Sequence, residues 1–445
     1  MTVYRCDHAW VGDGVVADVD IAVDDGRITS VGPRDASALD VVALPGVVLP
    51  GFANAHSHAF HRALRGHTHG DGGTFWTWRD RMYRVARLLE PDSYYRLARA
   101  VYGEMVLAGV TCVGEFHYVH HQPGGAPYAD PNAMGEAVRV AAKDAGLRMT
   151  LLDTCYVAGG LGPRGHLPLV PDQERFSDDD ADGWAERWSL LRDDDTTLVG
   201  GALHSVRAVP RDQVPTVVEV VGRRPLHVHL SEQVAENDAC LAAYGVTPTR
   251  LLDEAGALAD TTTAVHATHL TDDDVARLGR ARTFSCFCPT TERDLADGIG
   301  PALALLGAGS PLCLGSDQHA VVDLIEEARA LEMHERLVSH ERGRKQPPEL
   351  MTALADNGHR SLGWSDAGRL EPGMRADLVA VRLDTVRTAG TLPDQVLLSA
   401  FASDVDTVVV DGRVVVSGGR HTSIDVAGEL VAEIGALWRA DAARS

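Results

Sequence analysis

The chain has 445 residues, of which 45% are hydrophobic, so it can bury a large core and exceeds the usual size of one simple domain. Its formal net charge of −22 argues against a nucleic-acid or anionic-membrane partner, because phosphate binding needs a basic surface. The scattered 7 cysteines form no CxxC pair, and neither a signal peptide nor a long apolar run is visible, which together predict a cytoplasmic protein with reduced thiols.

Short β-prone segments at the two ends of the chain predict one small β-domain. These segments lie at 15–23, 28–31, 376–381 and 407–416. The first two flank Asp24-Asp25-Gly26-Arg27, and Asp-Gly between alternating apolar residues is typical of a hairpin. We therefore expect a small β-sandwich domain built from residues 1–46 and 370–425, with a C-terminal helix over 426–445.

Strand and helix patterns alternate through the middle of the chain. The β-prone apolar segments lie at 47–56, 110–117, 148–156, 197–204, 225–230, 261–266, 282–288 and 311–317. Helical patterns fill the gaps, for example at 91–107, 132–145, 210–221 and 322–340. About eight strands, each followed by a helix, predict an α/β fold with a (β/α)8 TIM-like barrel over 47–369. An open doubly wound sheet is the alternative.

The first of these strands ends in two histidines, His56 and His58, one residue apart. Alternate residues of a strand point to the same side, so both imidazoles can face one metal ion. Alone, this spacing also fits two structural histidines at a strand end. Three later apolar runs end in His229, His266 and Asp317, and active sites of barrels are built at the carboxyl ends of the strands. The sequence therefore predicts a metal centre at that end of the barrel.

Two carboxylates add to this pattern. Glu232 lies in the loop just beyond His229, where a carboxylate near a metal-activated water can move protons. Asp317 closes an apolar run, and a buried carboxylate is costly unless it is paired or bound to metal. Ordinary explanations remain for single residues: Glu232 as a surface acid, His227 as a core histidine and His269 as a residue at a helix start. Coincidence does not explain the whole set, which is His56, His58, His229, Glu232, His266 and Asp317.

The order His-x-His, His-x-x-Glu, His and Asp at successive strand ends resembles the amidohydrolase superfamily, in its deaminase-like branch with a single divalent metal. Within this branch the sequence resembles more closely the formimidoylglutamate deiminase family of bacterial histidine degradation. The segments that carry the resemblance are Gly51-Phe52-Ala53-Asn54-Ala55-His56-Ser57-His58-Ala59-Phe60, Phe75-Trp76-Thr77-Trp78-Arg79, Glu115-Phe116-His117-Tyr118, His204-Ser205-Val206-Arg207, His266-Ala267-Thr268-His269-Leu270 and Cys288-Pro289-Thr290-Thr291-Glu292. The Phe-Trp-x-Trp-Arg and His-x-x-Arg segments are the more specific to this family.

The resemblance implies hydrolysis of N-formimidoyl-L-glutamate to N-formyl-L-glutamate and ammonia by a homodimeric zinc enzyme. It implies one divalent ion per chain, held by His56, His58, His229 and Asp317. It also implies that Asp317 accepts the proton of the water and that Glu232 delivers one to the imino nitrogen. His266 either hydrogen-bonds the attacking oxygen or completes the metal shell.

The implied substrate is a small dicarboxylate, which needs cationic partners inside an acidic protein. Lysine is almost absent from the chain, so these partners should be arginines. Arg207 after strand four and Arg79 after strand one are the predicted carboxylate-binding residues. The predicted supporting residues are Tyr118, His204 and His61.

Two features distinguish this chain from other members of the superfamily. Binuclear members bridge their metals with a carboxylated lysine on strand four, which is absent here, and Lys143 falls in a helical stretch, so a mononuclear site is favoured. His61 stands where glutamine is expected in part of the family, and Gln318 stands where serine is common. Both positions lie close to the predicted site and affect its hydrogen bonding.

Two other functions remain open. Another mononuclear aminohydrolase of this branch, acting on a purine, pterin or S-adenosylhomocysteine-like substrate, would have an apolar, arginine-poor pocket. A catalytically silent homologue would have lost metal ligands. The aromatic segment, with Phe75, Trp76, Trp78 and Tyr83, is either a packed surface or a cover that excludes water from the site.

Overall fold

The two ends of the chain form one eight-stranded sheet, separate from the barrel. The computed structural model describes residues 1–68 and 75–444, without the side chains of Phe75, Trp76 and Arg444. The strands of this sheet, numbered in chain order, are β1 (Thr2–Val11), β2 (Gly14–Asp24), β3 (Arg27–Pro33), β4 (Val41–Pro50), β15 (Leu378–Val381), β16 (Val405–Val410), β17 (Arg413–Ser417) and β18 (Arg420–His421). Their order is β18-β17-β16-β15-β4-β1-β2-β3.

Strand β4 joins the two halves of this sheet, because it pairs parallel with β1 and antiparallel with β15. The halves also meet where the backbone N–H of Ile28 in β3 donates to the carbonyl of Met374, in the segment before β15. Side chains from both halves, including Tyr4, Ile21 and Val409, pack in one buried cluster of their own. The predicted small β-domain from both chain ends is therefore present as a separate sheet with its own core.

The middle of the chain forms a parallel barrel. Its strands are β5 (Phe52–Ser57), β6 (Val110–His117), β7 (Arg148–Cys155), β10 (Thr197–Leu203), β11 (Leu226–Leu230), β12 (Thr262–His266), β13 (Phe284–Phe287) and β14 (Leu312–Leu314). They pair in that order, all parallel, and a bridge between Ser57 and Asp317 brings the first strand to the segment after the eighth. The predicted (β/α)8 barrel is confirmed.

Helices separate the barrel strands. They are α1 (Phe75–Leu88), α2 (Pro91–Leu107), α3 (Ala133–Ala145), α4 (Ala181–Trp188), α5 (Val214–Val221), α6 (Val234–Tyr244), α7 (Pro248–Glu254), α8 (Asp272–Ala281), α9 (Pro289–Asp294), α10 (Ala302–Ala308), α11 (Leu324–Ser339), α12 (Pro347–Leu354), α13 (Asp356–Ser361) and the C-terminal α14 (Val426–Arg444). Short 3-10 helices cover Ala59–Leu64, Glu174–Phe176, Pro393–Leu398 and Ala402–Asp404, and a hairpin, β8 (Gly160–Gly162) with β9 (Gly165–Leu167), follows β7. Within the described residues, no helix is long and apolar enough to cross a membrane.

The apolar run before His56 belongs to two sheets, although the sequence predicts a single strand over 47–56. Gly51 divides it, because the chain passes there from β4 to β5. A Cβ at Gly51 would lie 2.4 Å from Oγ1 of Thr111 and 2.7 Å from Cβ of Asp377. Only glycine fits this crossing without displacing its neighbours.

The barrel strands are buried on both faces. Every residue of seven of the eight strands is buried, and β10 has one half-buried position. A parallel sheet covered by helices produces such continuous apolar runs. The polar side chains at the carboxyl ends of these strands therefore lie inside the protein, where each needs a partner.

Candidate metal centre and catalytic cavity

The strand ends bring four potential ligands together. One nitrogen each from His56, His58 and His229 and one oxygen of Asp317 all lie within 4.8 Å of one another. The Nε2 atom of His229 is 3.1 Å from that of His56 and 3.3 Å from that of His58. Oδ1 of Asp317 is 3.4 Å from Nε2 of His56 and 3.4 Å from Nε2 of His58. Tetrahedral zinc with bonds of about 2.0 Å has ligand-to-ligand distances of about 3.3 Å, so the four groups fit one such ion.

Backbone carbonyls fix the tautomers of two of these histidines. Nδ1 of His58 lies 2.9 Å from the carbonyl oxygen of Phe116, and Nδ1 of His229 lies 2.8 Å from that of His204. In a neutral ring, each Nδ1 must carry the proton to donate to its carbonyl, so each Nε2 presents a lone pair. Two lone pairs that face each other across 3.3 Å repel unless a cation lies between them. This arrangement favours a metal ion over an empty hydrogen-bonded cluster.

Burial keeps these imidazoles neutral. Desolvation, and then the neighbouring His56, lower the pKa of His58 to about 3. Burial also holds the pKa values of His56 and His229 well below the usual range for histidine. Metal ligands must be unprotonated, so the barrel interior prepares the donor set at neutral pH.

His266 lies among three carboxylates. Its Nε2 is 3.7 Å from Oδ2 of Asp317 and 3.9 Å from Oε1 of Glu232, and its Nδ1 is 3.5 Å from Oε1 of Glu292. Burial opposes its protonation, but Glu232, Glu292 and Asp317 together raise its pKa to about 10. A cation on the neighbouring ligands would lower this pKa again. The backbone at His266 is left-handed, with φ of +69°, a strained conformation for a residue other than glycine.

A cavity of about 370 Å³ opens above the four ligands. The sequence-predicted residues that line it are His58, His61, Arg79, Tyr118, His204, Arg207, His229, Glu232, His266 and Asp317. His56 is fully buried and does not line the cavity. Trp78 and Tyr83 also line the cavity, which places two of the four predicted aromatic residues at the site; the side chains of the other two lie outside the described residues.

Arg207 reaches the cavity from the loop after β10 and faces two carboxylates. Its Nη2 donates to Oε2 of Glu232 at 3.3 Å, and its Nε lies 2.9 Å from Oε2 of Glu236. Arg79 lies on α1 with its guanidinium carbon 5.5 Å from the centre of the Tyr83 ring. Both predicted arginines therefore border the same cavity, and Arg207 is already ion-paired within the chain.

The two departures from the family pattern have different positions. Nε2 of His61 lies 2.9 Å from the hydroxyl of Tyr118, and its buried Nδ1 has no hydrogen-bond partner among the described residues. Gln318 instead donates through Nε2 to Asp294 at 2.7 Å and does not line the cavity. His61 thus affects the cavity directly, whereas Gln318 does not contact it.

The two histidines that the sequence predicts to be structural, His227 and His269, each face a backbone carbonyl. Nε2 of the buried His227 faces the carbonyl of Ser361 at 3.2 Å, and Nε2 of His269 faces that of Asp297 at 2.8 Å. Lys143 lies exposed on α3. None of these three contacts the four candidate ligands.

A second group of possible ligands, His117, His120 and Asp153, lies at the ends of β6 and β7. Asp153 accepts both Nη atoms of Arg187, at 2.8 and 2.9 Å, and Nε1 of Trp184 at 2.9 Å. A guanidinium already engages this carboxylate and would repel a divalent ion beside it. We interpret this group as a buried ion-pair network.

Sequence patterns alone did not single out two acids. Glu236, on the first turn of α6, contacts Arg207, and Glu292 contacts His266 and accepts the backbone N–H of Cys288 at 2.8 Å. Glu292 stands in a segment that carries the family resemblance but suggests no role by itself. Glu236 lies four residues after Glu232, on the helix that follows the same strand.

Comparison with known proteins agrees with this geometry. A model of the amidohydrolase family matches residues 47–415. The chain belongs to the amidohydrolase family. It is 36% identical over 434 residues to formimidoylglutamate deiminase of Pseudomonas aeruginosa, covering 92% of this chain and 94% of that protein. It is 30% identical over 439 residues to 8-oxoguanine deaminase of the same organism, covering 94% of each chain.

The fold agrees as well. The crystal structure of an amidohydrolase from Brucella melitensis superposes with a TM-score of 0.91 and 30% identity, covering 98% of this chain and all of that one. Membership of the family confirms the prediction of a hydrolytic, deiminase-type enzyme of the amidohydrolase superfamily. Family members bind divalent metal ions, and the four converging groups fit one.

Proposed function

We propose that this enzyme hydrolyses N-formimidoyl-L-glutamate to N-formyl-L-glutamate and ammonia. The observation that carries the proposal is the joint position of Arg207 and Arg79 at the cavity above the four candidate ligands. A dicarboxylate needs cations, and a guanidinium can bind a carboxylate through two parallel hydrogen bonds. The identity to formimidoylglutamate deiminase of P. aeruginosa supports the same substrate.

The metal in this proposal is one zinc ion per chain, held by His56, His58, His229 and Asp317. Three imidazole nitrogens and one carboxylate oxygen at tetrahedral spacing suit zinc. A divalent ion there would supply Lewis acidity that lowers the pKa of the hydrolytic water.

Two carboxylates of the site, Asp317 and Glu232, would move the protons that the reaction requires. When water adds to the formimidoyl carbon, Asp317 takes up a proton from it, and His266, 3.7 Å away, donates a hydrogen bond to the added oxygen. Glu232 gives a proton to the imino nitrogen, which leaves a tetrahedral carbon that carries a hydroxyl and an amino group. Asp317 then passes its proton to that amino group, and the C–N bond breaks to release ammonia. The hydroxyl proton returns to Glu232, which leaves the formyl carbonyl and restores both acids. Glu232 suits this role because its Oε1 is 3.9 Å from Nε2 of His266, so both groups face the same space.

The carboxylates of the substrate would lie against the two arginines that line the cavity. Arg207 would exchange its contact with Glu232 for a substrate carboxylate, and Arg79 would bind the other. The hydroxyl of Tyr118 and the rings of His204 and His61 line the same cavity and would supply further hydrogen bonds. This assignment also releases Glu232 for proton transfer once the substrate is bound.

We further propose a cytoplasmic homodimer, as the family resemblance implies. All seven cysteines are buried and free of disulfides, which suits a reducing compartment. Light scattering of the purified protein would give about twice the chain mass of 47.6 kDa for a dimer, and a mass of one chain would reject it.

A second candidate is a ring aminohydrolase, because aromatic side chains including Trp78, Tyr156 and Phe176 line the cavity beside the arginines. Ammonia release from a substrate panel separates the two functions. We expect turnover of formimidoylglutamate and none of guanine, cytosine or S-adenosylhomocysteine. Preferred turnover of any ring substrate, or no turnover of formimidoylglutamate, would reject the proposed function.

A further inference from the structure

Glu236 lies behind Arg207, outside the set of acids that the proposed mechanism uses. It stands on the first turn of α6, and its side chain is fully buried. Its Oε1 accepts the backbone N–H of Ser231 at 2.9 Å, and Ser231 precedes Glu232 in a left-handed conformation with φ of +50°. Glu236 therefore contacts both the turn that carries Glu232 and the arginine of the cavity.

Among the described residues, only the charge of Arg207 compensates the other carboxylate oxygen of Glu236. Oε2 lies 2.9 Å from Nε of Arg207, but the angle does not make a hydrogen bond, and Oε2 accepts none from the described residues. Nε instead donates to Oγ of Ser205 at 3.3 Å. A buried carboxylate oxygen without hydrogen bonds is costly, so the charge of Arg207 is its compensation. The attraction acts in both directions and holds the Nε edge of the guanidinium against α6.

The side chain of Arg207 also lines the cavity. Glu232 lies at Nη2, 3.3 Å away, and the side chain of Arg207 retains 19% exposure. A guanidinium held at Nε presents its Nη pair in one fixed plane, which is the geometry that a carboxylate binds bidentately. An arginine without this anchor would have to be ordered by the substrate, at a cost in binding.

We propose that Glu236 is a positioning residue for substrate specificity, which fixes the guanidinium of Arg207 for the substrate carboxylate. This inference rests on the proposed function and deepens it. Glu236 acts through Arg207, takes no part in proton transfer and holds no metal.

Glu236→Gln tests the inference, because glutamine can still accept the N–H of Ser231 while it removes the charge that faces Arg207. We expect the KM for formimidoylglutamate to rise about 10-fold, with kcat within about 3-fold of the parent. For N-methylformamidine, which has the amidine and no carboxylate, kcat/KM should stay within about 2-fold. Equal losses on both substrates, or an unchanged KM for formimidoylglutamate, would overturn the inference.

A double-mutant cycle with Arg207→Met gives a readout that does not depend on activity. Arg207→Met leaves Glu236 buried without its cation and should lower Tm by about 3 to 6 °C. Adding Glu236→Gln to this variant should recover most of that loss and change KM by less than about 2-fold. Additive effects of the two substitutions on Tm and on KM would mean that Glu236 acts independently of Arg207, and would overturn the inference.

Two further variants complete the design. Glu254→Gln is the matched control, because Glu254 pairs with Arg211 and Arg250 at 2.8 Å each, away from the cavity, and should leave KM unchanged. If Glu236→Gln does not fold, Glu236→Asp takes its place, since it shortens the side chain and withdraws the charge from Arg207; the same selective rise in KM is expected. If the parent enzyme does not hydrolyse formimidoylglutamate, the proposed function and this inference are both wrong. If the parent hydrolyses it, the variants test the role of Glu236 alone.

Discussion

Replacing Glu232 by glutamine separates proton transfer from metal binding. Glutamine keeps the shape of the side chain but cannot take up and release the proton that the departing ammonia needs. Neither carboxylate oxygen of Glu232 belongs to the converging ligand set: Oε2 pairs with Arg207 at 3.3 Å, and Oε1 lies 3.9 Å from His266. The substitution should therefore leave the metal content at its parental value.

The expected magnitude follows from these contacts. Positioned general acid–base groups contribute roughly 100-fold to 10,000-fold to rate, so kcat should fall by about 100-fold or more, or about 2.7 kcal/mol of transition-state stabilisation. KM should not rise, because the loss of the Glu232 charge removes one competitor for Arg207. A fall in kcat with an unchanged or lower KM is the distinctive result.

Ammonia release at saturating formimidoylglutamate gives kcat, and elemental analysis of the same samples gives the metal content. Glu254→Gln serves as the control for loss of a glutamate charge outside the cavity. If Glu232→Gln loses the metal, Glu232 is a ligand and the assignment is wrong. If kcat stays within a few-fold of the parent, another group moves the proton.

Three further results are expected. Purified protein should hold one divalent ion per chain, and the double substitution His56→Ala and His58→Ala should abolish it; two ions, or an undiminished content, would contradict the mononuclear centre. Formimidoylaspartate should have a lower kcat/KM than formimidoylglutamate, because its two carboxylates are one carbon closer together than those of the proposed substrate, and equal values would contradict the proposed pairing of each carboxylate with one arginine. Burial, and then the charge of Arg148, lower the pKa of His359 to about 4, compared with about 6.5 in the unfolded chain. As the pH falls below about 6.5, the unfolded chain therefore takes up a proton at this residue before the folded protein does, and the free energy of unfolding decreases. In urea titrations, His359→Gln should reduce the loss in unfolding free energy between pH 7 and 5 by about 2 kcal/mol. An unchanged loss would refute this role of His359.

The sequence was sufficient to predict the barrel and the residues that converge at the carboxyl ends of its strands. Long apolar runs alternate with helical patterns, and the helix predicted over 91–107 is present as Pro91–Leu107. Polar residues at the ends of such runs have few explanations other than a shared site. For this reason the sequence predicts that His56, His229 and Asp317 lie together, and their ligand atoms lie within 4.8 Å of one another.

Other features depend on distances that no local pattern encodes. The division of the first predicted strand at Gly51 follows from the approach of Thr111 and Asp377, residues remote in the chain. The pairing of Arg207 with Glu236 joins a loop to a helix, and its acid lies in no motif. The tautomers of His58 and His229 depend on carbonyls of neighbouring strands, which only the folded barrel brings into contact.

The most direct test of the dicarboxylate assignment is kcat/KM for formimidoylglutamate in Arg207→Met. Loss of one charge-assisted contact should cost on the order of 2 to 5 kcal/mol, so kcat/KM should fall by about 30-fold or more while the variant stays folded and retains its metal. N-methylformamidine should be hydrolysed as well by the variant as by the parent. If Arg207→Met hydrolyses formimidoylglutamate as well as the parent does, the arginine does not recognise a substrate carboxylate, and the dicarboxylate function is wrong.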